Sequence, residues 1–219
     1  SCNSINYNHC RNLSTCQNIV TNRNFFINKH VNNSLINTFI MSAENYQFLF
    51  LCQFLDHLLI KNFGARQGIR LGTTVVAALL TQNRYYVLNV GDSRAYEITG
   101  GLRQITSDQT FVAREIALGR MTPEEALVDP RRNVLLQCVG ASENVYPDMF
   151  FGDVAQNAVY MLCSDGFRHE ITAEEIFAKL QPGVLFDDAT MQRNALELIE
   201  LNKQRQERDN ISVSMIRTF

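Results

Sequence analysis

Three aspartates lie at the ends of apolar stretches, and they are the residues best suited to chemistry. Asp92 and Asp165 each close a stretch that is predicted to be a buried strand, and Asp209 precedes another such stretch. An ionised carboxylate at the end of a buried strand is costly unless something positive meets it. Hard divalent cations such as Mg²⁺ and Mn²⁺ meet this need, because they prefer carboxylate and water oxygens. The pattern therefore predicts a metal site that contains these three side chains.

Length and composition describe a globular chain. The 219 residues are 46% hydrophobic and 19% charged, enough for one domain with a substantial core. The net charge is −2 and the sequence has no basic block, which argues against nucleic acid as a partner. The longest apolar segment, residues 48–55, is too short to span a bilayer, which argues against a membrane protein.

Cysteine usage points to a reducing compartment. The six cysteines form no Cys-x-x-Cys pair and show no zinc-ligand spacing. Nothing in the sequence resembles a signal peptide with a basic start and an apolar core. We therefore expect free thiols and a cytoplasmic location.

The strands that must position the aspartates are predicted from residue 71 onward. Segments 73–82 and 84–90 have the pattern of paired strands. Segments 95–98 and 102–105 flank Gly100 and Gly101, which predicts a hairpin because glycine tolerates a positive φ. The hairpin would follow directly after Asp92.

Helix signals fall between and before these strands. Residues 110–119 are predicted to be helical and to end at Gly119. Thr122 and Thr172 each begin a capping box, and residues 187–208 have the pattern of a long amphipathic helix. Segment 44–63 is apolar on almost every face, which predicts a deeply buried helix. The first 40 residues hold eleven asparagines, and only short strands at 18–28 and 31–41 are expected there. Many strands with a few long helices predict a layered α+β fold.

Four motifs, taken in order, resemble the metal-dependent protein phosphatases of the type 2C (PPM) family in their bacterial form. The resemblance covers residues 71–219, about two-thirds of the chain. Segments 119–126 and 130–135 resemble the family's flap beside the active site, which we place at about 107–145. The motifs are Gly72-Thr73-Thr74, Asn89-Val90-Gly91-Asp92-Ser93-Arg94-Ala95, Cys163-Ser164-Asp165-Gly166 and Asp209-Asn210.

The resemblance implies a single domain over residues 1–219, divergent in 1–70, with a four-layer α-β-β-α sandwich. Two antiparallel β-sheets would be flanked by helices. Two metal ions, Mg²⁺ or Mn²⁺ with no organic cofactor, would bridge a water whose hydroxide attacks phosphoserine or phosphothreonine. Partners would be a phosphorylated protein or a serine/threonine kinase in phospho-signalling. By position, Asp165 and Asp209 correspond to ligands of the first metal, and Asp92 with Asp165 corresponds to ligands of a third, weaker metal. Gly166 is expected to belong to the metal site as well.

The family's N-terminal ligand motifs are absent from this sequence. No aspartate occurs before Asp56. The candidate degenerate positions are Arg23 and Asn24, where the family has a glutamate and an acid, and Ser42, where it has the aspartate that bridges both ions. Arg23 would place a cation where a cation should bind. Since a two-metal site carries roughly four positive charges, it needs several carboxylates to hold them.

Three interpretations follow. The first is a pseudophosphatase, in which the fold serves binding or regulation and catalysis is weak or lost. The second is an active hydrolase, with Glu44 or residues from outside this chain replacing the missing carboxylates. The third is that residues 1–70 are not the native sequence of the domain, which would restore the enzyme. The ligand losses favour the first, although fold alone does not decide between them.

Simpler interpretations stand beside the metal site. Asp165 and Asp209 also suit Asp-Gly and Asp-Asn turns, and Asp92 suits an ion pair with Arg94. We expect Asp108 to be a surface or loop acid. The four histidines show no paired ligand spacing and are expected to be structural, although Arg168 and His169 follow the acidic motif closely enough to line the site. Arg131 and Arg132 either contact a phosphate or belong to a solvated face of the flap.

Overall fold

The strands form two four-stranded sheets, in the orders β1-β2-β3-β6 and β5-β4-β7-β8. The structure is a computed structural model that describes residues 37–41 and 47–219, with side chains from His57 onward. The strands are β1 (Asn37–Met41), β2 (Val75–Leu80), β3 (Arg84–Val90), β4 (Arg94–Ile98), β5 (Leu102–Gln104), β6 (Asp148–Asp153), β7 (Val159–Cys163) and β8 (Val213–Arg217).

Along the described part of the chain, each α-helix lies between two strands. The α-helices are α1 (Gln47–Gln67), α2 (Phe111–Ala117), α3 (Pro123–Val128), α4 (Ala173–Leu180) and α5 (Asp188–Gln204). Among the described residues, no helix combines the length and apolarity that crossing a membrane requires.

The pairing of strands is antiparallel except at one edge. β3 lies between β2 and β6, β7 lies between β4 and β8, and all four of these pairs are antiparallel, as is the β4–β5 hairpin. β1 runs parallel to β2, and α1 provides the connection between them. The predicted antiparallel sheets are therefore confirmed, with one parallel strand added at an edge.

Alternation along the strands produces four layers, because successive side chains of a strand point to opposite faces of its sheet. In β7, Tyr160 and Leu162 pack into the core between the two sheets, where they meet Val76 and Val87. The intervening residues of β7 pack on the opposite face against α4 and α5. The odd-numbered residues of β2 pack on the outer face of the other sheet, together with Ile60 of α1. The predicted α-β-β-α sandwich is confirmed.

Capping chemistry sets the helix ends as predicted. The Thr110 side chain caps α2, and Gly119 follows with φ +67°. Both predicted capping boxes form: the Thr122 hydroxyl accepts from the Glu125 N–H, and the Thr172 hydroxyl accepts from the Glu175 N–H. A threonine at this position satisfies a backbone donor that the first helical turn leaves open.

Two local predictions are wrong. Helix α1 begins and ends later than the predicted 44–63, and its described part, from His57 onward, is not deeply buried, since Leu59 and Phe63 are 61% and 56% exposed. The hairpin at Gly100 and Gly101 forms, with the Thr99 N–H donating to the Gly101 carbonyl at 3.1 Å, but neither glycine has a positive φ. The predicted strand at 18–28 lies outside the described residues.

The thiols of Cys138 and Cys163 are free. Burial raises the pKa of the Cys163 thiol to about 12, so it remains protonated and acts as a core side chain. The other four cysteine side chains lie outside the part of the chain whose side chains are described.

Candidate metal-binding edge

Strands β7 and β8 bring Asp165 and Asp209 to one edge of the sandwich. Ser164 connects the end of β7 to the segment before β8 by hydrogen bonds. Its hydroxyl donates to the Asn210 carbonyl at 3.1 Å and accepts from the Ser212 N–H at 3.0 Å. Asp165 then opens a one-turn 3-10 helix. The two aspartates therefore lie on adjacent turns.

Gly166 allows these turns to approach closely. A Cβ at this position would lie 2.6 Å from the Asn210 carbonyl oxygen and 3.3 Å from the Asp209 Cβ. The Gly166 N–H donates to the Asp165 carboxylate at 2.8 Å, and the Asn210 N–H donates to the Asp209 carboxylate at 2.7 Å. Each carboxylate thus closes a turn of the kind that the simpler interpretation expects, and its remaining lone pairs stay open to other partners.

Asp92 lies on the turn between β3 and β4. Gly91 holds this turn with φ +105°, and its N–H donates to the Gln109 side chain at 2.8 Å. Burial, and next the nearby Asp165 carboxylate, raise the pKa of Asp92 to about 6, while the Arg168 guanidinium acts in the opposite direction. The Asp92 carboxyl is therefore partly buried and close enough to Asp165 for that carboxylate to affect it.

One interpretation proposed an ion pair between Arg94 and Asp92, and this interpretation is wrong. The Arg94 guanidinium forms a two-bonded ion pair with Asp108, in which both N–O distances are 2.7 Å, and it donates to the Tyr96 hydroxyl at 3.0 Å. Asp108 lies in the loop between β5 and α2, as expected, although its side chain is only 14% exposed. A planar guanidinium matches the two oxygens of a carboxylate, so this pair fixes the start of β4 to the segment before α2.

Two basic residues follow Asp165 and face the acidic edge. Arg168 donates to the backbone carbonyl of Asp92 at 3.2 Å. The His169 imidazole lies 3.7 Å from the Asp165 carboxylate and 3.3 Å from the Glu207 carboxylate. Glu207 was not identified from the sequence. Its carboxylate accepts the N–H groups of the two residues that follow it, at 2.7 Å each, and so shapes the turn that carries Asp209.

Arg131 and Arg132 lie exposed on the flap. The Arg131 guanidinium forms a two-bonded pair with Asp129 and stacks over the Phe111 ring at 4.1 Å. Arg132 donates to the Leu127 carbonyl at 3.2 Å. Arg23, Asn24 and Ser42 lie outside the described residues.

Whether these side chains can hold a divalent ion depends on how many metal-ligating groups they bring together. Among the side chains from residue 57 onward, no three His, Cys, Asp or Glu groups come together in an arrangement that would hold a metal. Asp92, Asp165 and Asp209 share an edge without forming such a group. The described side chains therefore do not fit a divalent ion by themselves.

Comparison with known proteins identifies the class. A four-layer sandwich with acidic turns at one edge is the architecture of type 2C phosphatases, and solved structures of such enzymes superpose on it. The crystal structure of the Mycobacterium tuberculosis serine/threonine phosphatase PstP/Ppp has a TM-score of 0.66 at 31% identity, covering 74% of this chain and 67% of that chain. The catalytic domain of PstP in complex with two manganese ions has a TM-score of 0.64 at 26% identity, covering 81% and 74%.

Sequence comparison also finds serine/threonine phosphatases that are similar to this chain. PstP of M. tuberculosis is 37% identical over 145 residues, which are 65% of this chain and 27% of that protein. The serine/threonine phosphatase stp of Listeria monocytogenes is 31% identical over 147 residues, which are 67% of this chain and 56% of that protein. No family model matches the chain. The chain belongs to the type 2C (PPM) family of serine/threonine protein phosphatases, and it spans between about a quarter and somewhat more than half of the length of these two relatives.

Proposed function

We propose that this chain is a PPM-family domain of serine/threonine phospho-signalling in which phosphatase activity is weak or lost, so that it serves binding or regulation. The observation that carries the proposal is the donor set. No three-ligand group forms among the described side chains, and the sequence has no aspartate before Asp56. A bridged pair of divalent ions needs more carboxylates than Asp92, Asp165 and Asp209 supply.

The partner that suits this role is a phosphorylated protein or the kinase that phosphorylates it. The names of the relatives support a phosphoserine or phosphothreonine partner. We place the phosphate contacts at Arg131 and Arg132, because both are exposed on the flap and a guanidinium binds phosphate oxygens in a two-bonded geometry. Arg131 would exchange its bonds to Asp129 for bonds to phosphate.

An active Mg²⁺- or Mn²⁺-dependent phosphatase is the second candidate. Two observations favour it: the three aspartates share one edge, and a structural neighbour is described as a complex with two manganese ions. Bound metal would lower the pKa of a water and supply the hydroxide that attacks phosphorus. The missing carboxylates would then come from outside the described residues.

Turnover separates the two candidates. Hydrolysis of p-nitrophenyl phosphate and of a phosphothreonine peptide is measured with millimolar Mn²⁺, beside an Asp165→Asn variant. Asp153→Asn is the matched control, because Asp153 is an exposed aspartate at the end of β6. We expect wild-type turnover no greater than that of Asp165→Asn. Turnover that the control retains and Asp165→Asn loses would replace this proposal with the active enzyme.

Binding is measured independently of turnover. Fluorescence anisotropy with a phosphothreonine peptide and its unphosphorylated counterpart should show preference for the phosphorylated form. Arg132→Ala should weaken that preference, whereas Arg193→Ala on α5 should leave it unchanged. Equal binding of both peptides would argue against a phosphate-reading role.

A further inference from the structure

Arg168 connects the two turns that carry Asp92 and Asp165. It ends the 3-10 turn that Asp165 begins, and its N–H donates to the Asp165 carbonyl at 2.9 Å. From there its side chain reaches the neighbouring turn, where Nη2 donates to the Asp92 carbonyl at 3.2 Å. The side chain is only 15% exposed. A largely but not fully buried guanidinium therefore lies against the Asp92 turn.

The charge of Arg168 is not matched by a carboxylate of its own. Its single ion-pair contact among the described residues is with Asp108, at 3.4 Å. Arg94 already bonds both oxygens of that carboxylate at 2.7 Å. The Nε atom of Arg168 is buried and has no hydrogen-bond partner within the described part of the chain. A buried charge with so little direct pairing must be stabilised by more distant charges.

We propose that Arg168 is a built-in counter-cation at the Asp92 turn, and that it lowers the affinity of this acidic edge for divalent metal. The inference rests on the proposed function only in taking this edge as the place where metal would bind. Arg168 is a positioning residue, since it acts on the edge through the Asp92 carbonyl and through its fixed charge. A guanidinium stays protonated throughout the physiological range, so its repulsion of a cation does not depend on pH.

Arg168 would weaken metal binding at this edge in two ways. A fixed positive charge at the Asp92 turn offsets the negative potential that would attract a divalent ion. The bond to the Asp92 carbonyl also withdraws one oxygen that a hard ion would otherwise use. Both effects disappear when the guanidinium is replaced by an apolar side chain. Arg168→Met is the suitable change, because it keeps the buried stem and removes both the charge and the unpaired Nε.

The experiment measures Mn²⁺ binding by isothermal titration calorimetry on the full chain. Three variants are compared with the wild type: Arg168→Met, Arg168→Lys, which keeps the charge, and Arg84→Met. Arg84 is the matched control, because it begins β3 at the opposite end of the strand from Asp92 and its side chain is 54% exposed. Arg168→Met should bind Mn²⁺ at least about tenfold more tightly than the wild type, since the substitution removes a fixed positive charge from the acidic edge. Arg168→Lys and Arg84→Met should bind as the wild type does.

Each outcome decides the inference. It is overturned if folded Arg168→Met binds Mn²⁺ no more tightly than the wild type, or if Arg84→Met gains as much. Should Arg168→Met fail to fold, Arg168→Lys decides. If Arg168→Lys folds and binds Mn²⁺ with the wild-type affinity, the result supports the proposal that a positive charge is required at position 168. If Arg168→Lys does not fold, or binds Mn²⁺ more tightly, the proposal is overturned.

Failure of the proposed function gives a different result. Tight Mn²⁺ binding and turnover by the wild type would remove the proposal of lost catalysis. The ratio between Arg168→Met and the wild type would still test the counter-cation. Weak wild-type binding with no gain in Arg168→Met would remove only the counter-cation.

Discussion

The imidazole of His57, on α1, accepts a hydrogen bond from the Gly140 backbone N–H at 3.0 Å. This bond ties the helix to the end of the flap segment, and both groups are buried. Gly140 has φ +92°, and a Cβ there would lie 2.3 Å from the Ile60 side chain, so the flap backbone approaches α1 as closely as a glycine permits.

His57 should make stability depend on pH. Burial, and next the Lys61 ammonium, lower the pKa of His57 below its ordinary value of 6.5. A protonated imidazole has no free nitrogen with which to accept the Gly140 N–H. Because the unfolded chain then binds the proton more readily, stability is present above pH 6.5 and is lost as the pH falls below it.

Thermal unfolding of the wild type and His57→Gln between pH 8 and pH 5 tests this relationship. Glutamine still offers an acceptor but does not titrate. The wild-type Tm should fall by about 2 to 4 °C more than that of the variant, which corresponds to the loss of one buried hydrogen bond of about 1 kcal/mol in a domain of this size. Parallel curves for the two proteins would contradict the assignment.

Gly91→Ala should destabilise the turn that carries Asp92. Its φ is +105°, and a Cβ would lie 2.4 Å from the Thr74 methyl group. Strain and overlap together should reduce the free energy of unfolding by about 2 kcal/mol or more. Gly100→Ala is the control, because a Cβ at Gly100 meets open space. Urea denaturation should separate the two variants clearly, and equal losses would show that the turn tolerates a side chain.

Ser164→Ala should loosen the junction of β7 and β8. The change leaves the buried Ser212 N–H without the hydroxyl that accepts it at 3.0 Å. An unsatisfied buried donor costs about 1 to 3 kcal/mol. Ser212→Ala removes a hydroxyl from the other side of the same junction but keeps the backbone groups that bond to Ser164, so its loss should be smaller. Denaturation midpoints measured side by side would refute the argument if the order were reversed.

Substitution of the two capping threonines, Thr172 and Thr122, should have different effects: one on global stability and the other on local stability. Either substitution by alanine removes a cap worth about 1 kcal/mol. Helix α4 packs in the core against α5, so Thr172→Ala should lower global stability by that amount. Helix α3 has Ala126 as its one buried residue, so Thr122→Ala should mainly increase amide exchange within the flap. A full global loss from Thr122→Ala would mean that the flap unfolds together with the core.

Local chemistry made parts of the fold predictable. Strand β3 has the predicted bounds, and both capping boxes form because their spacing depends on one helical turn. The burial of α1 was not predictable in the same way, since an apolar pattern on every face does not show how many faces a neighbour covers. Leu59 and Phe63 remain exposed for that reason.

The charge partners at the candidate site were harder to predict than the acids. Asp92 and Asp165 are recognisable because each follows an apolar strand. Arg94 lies two residues from Asp92, yet it pairs with Asp108, a residue of the segment before α2 that is distant in the sequence. The approach of Arg168 to the Asp92 carbonyl joins residues from β3–β4 and from the turn after β7, and no local pattern encodes such a contact.

The position of β7 at the centre of its sheet also has a consequence for biogenesis. β7 pairs with β4, which precedes it by a long segment, and with β8, where Cys163 meets Val213. Pairings between distant segments form slowly and leave apolar strands uncovered meanwhile. A nascent chain that has been translated through residue 163 therefore exposes one side of β7 until residue 213 has left the ribosome. That interval is when chaperone binding and aggregation should compete most strongly for the new chain.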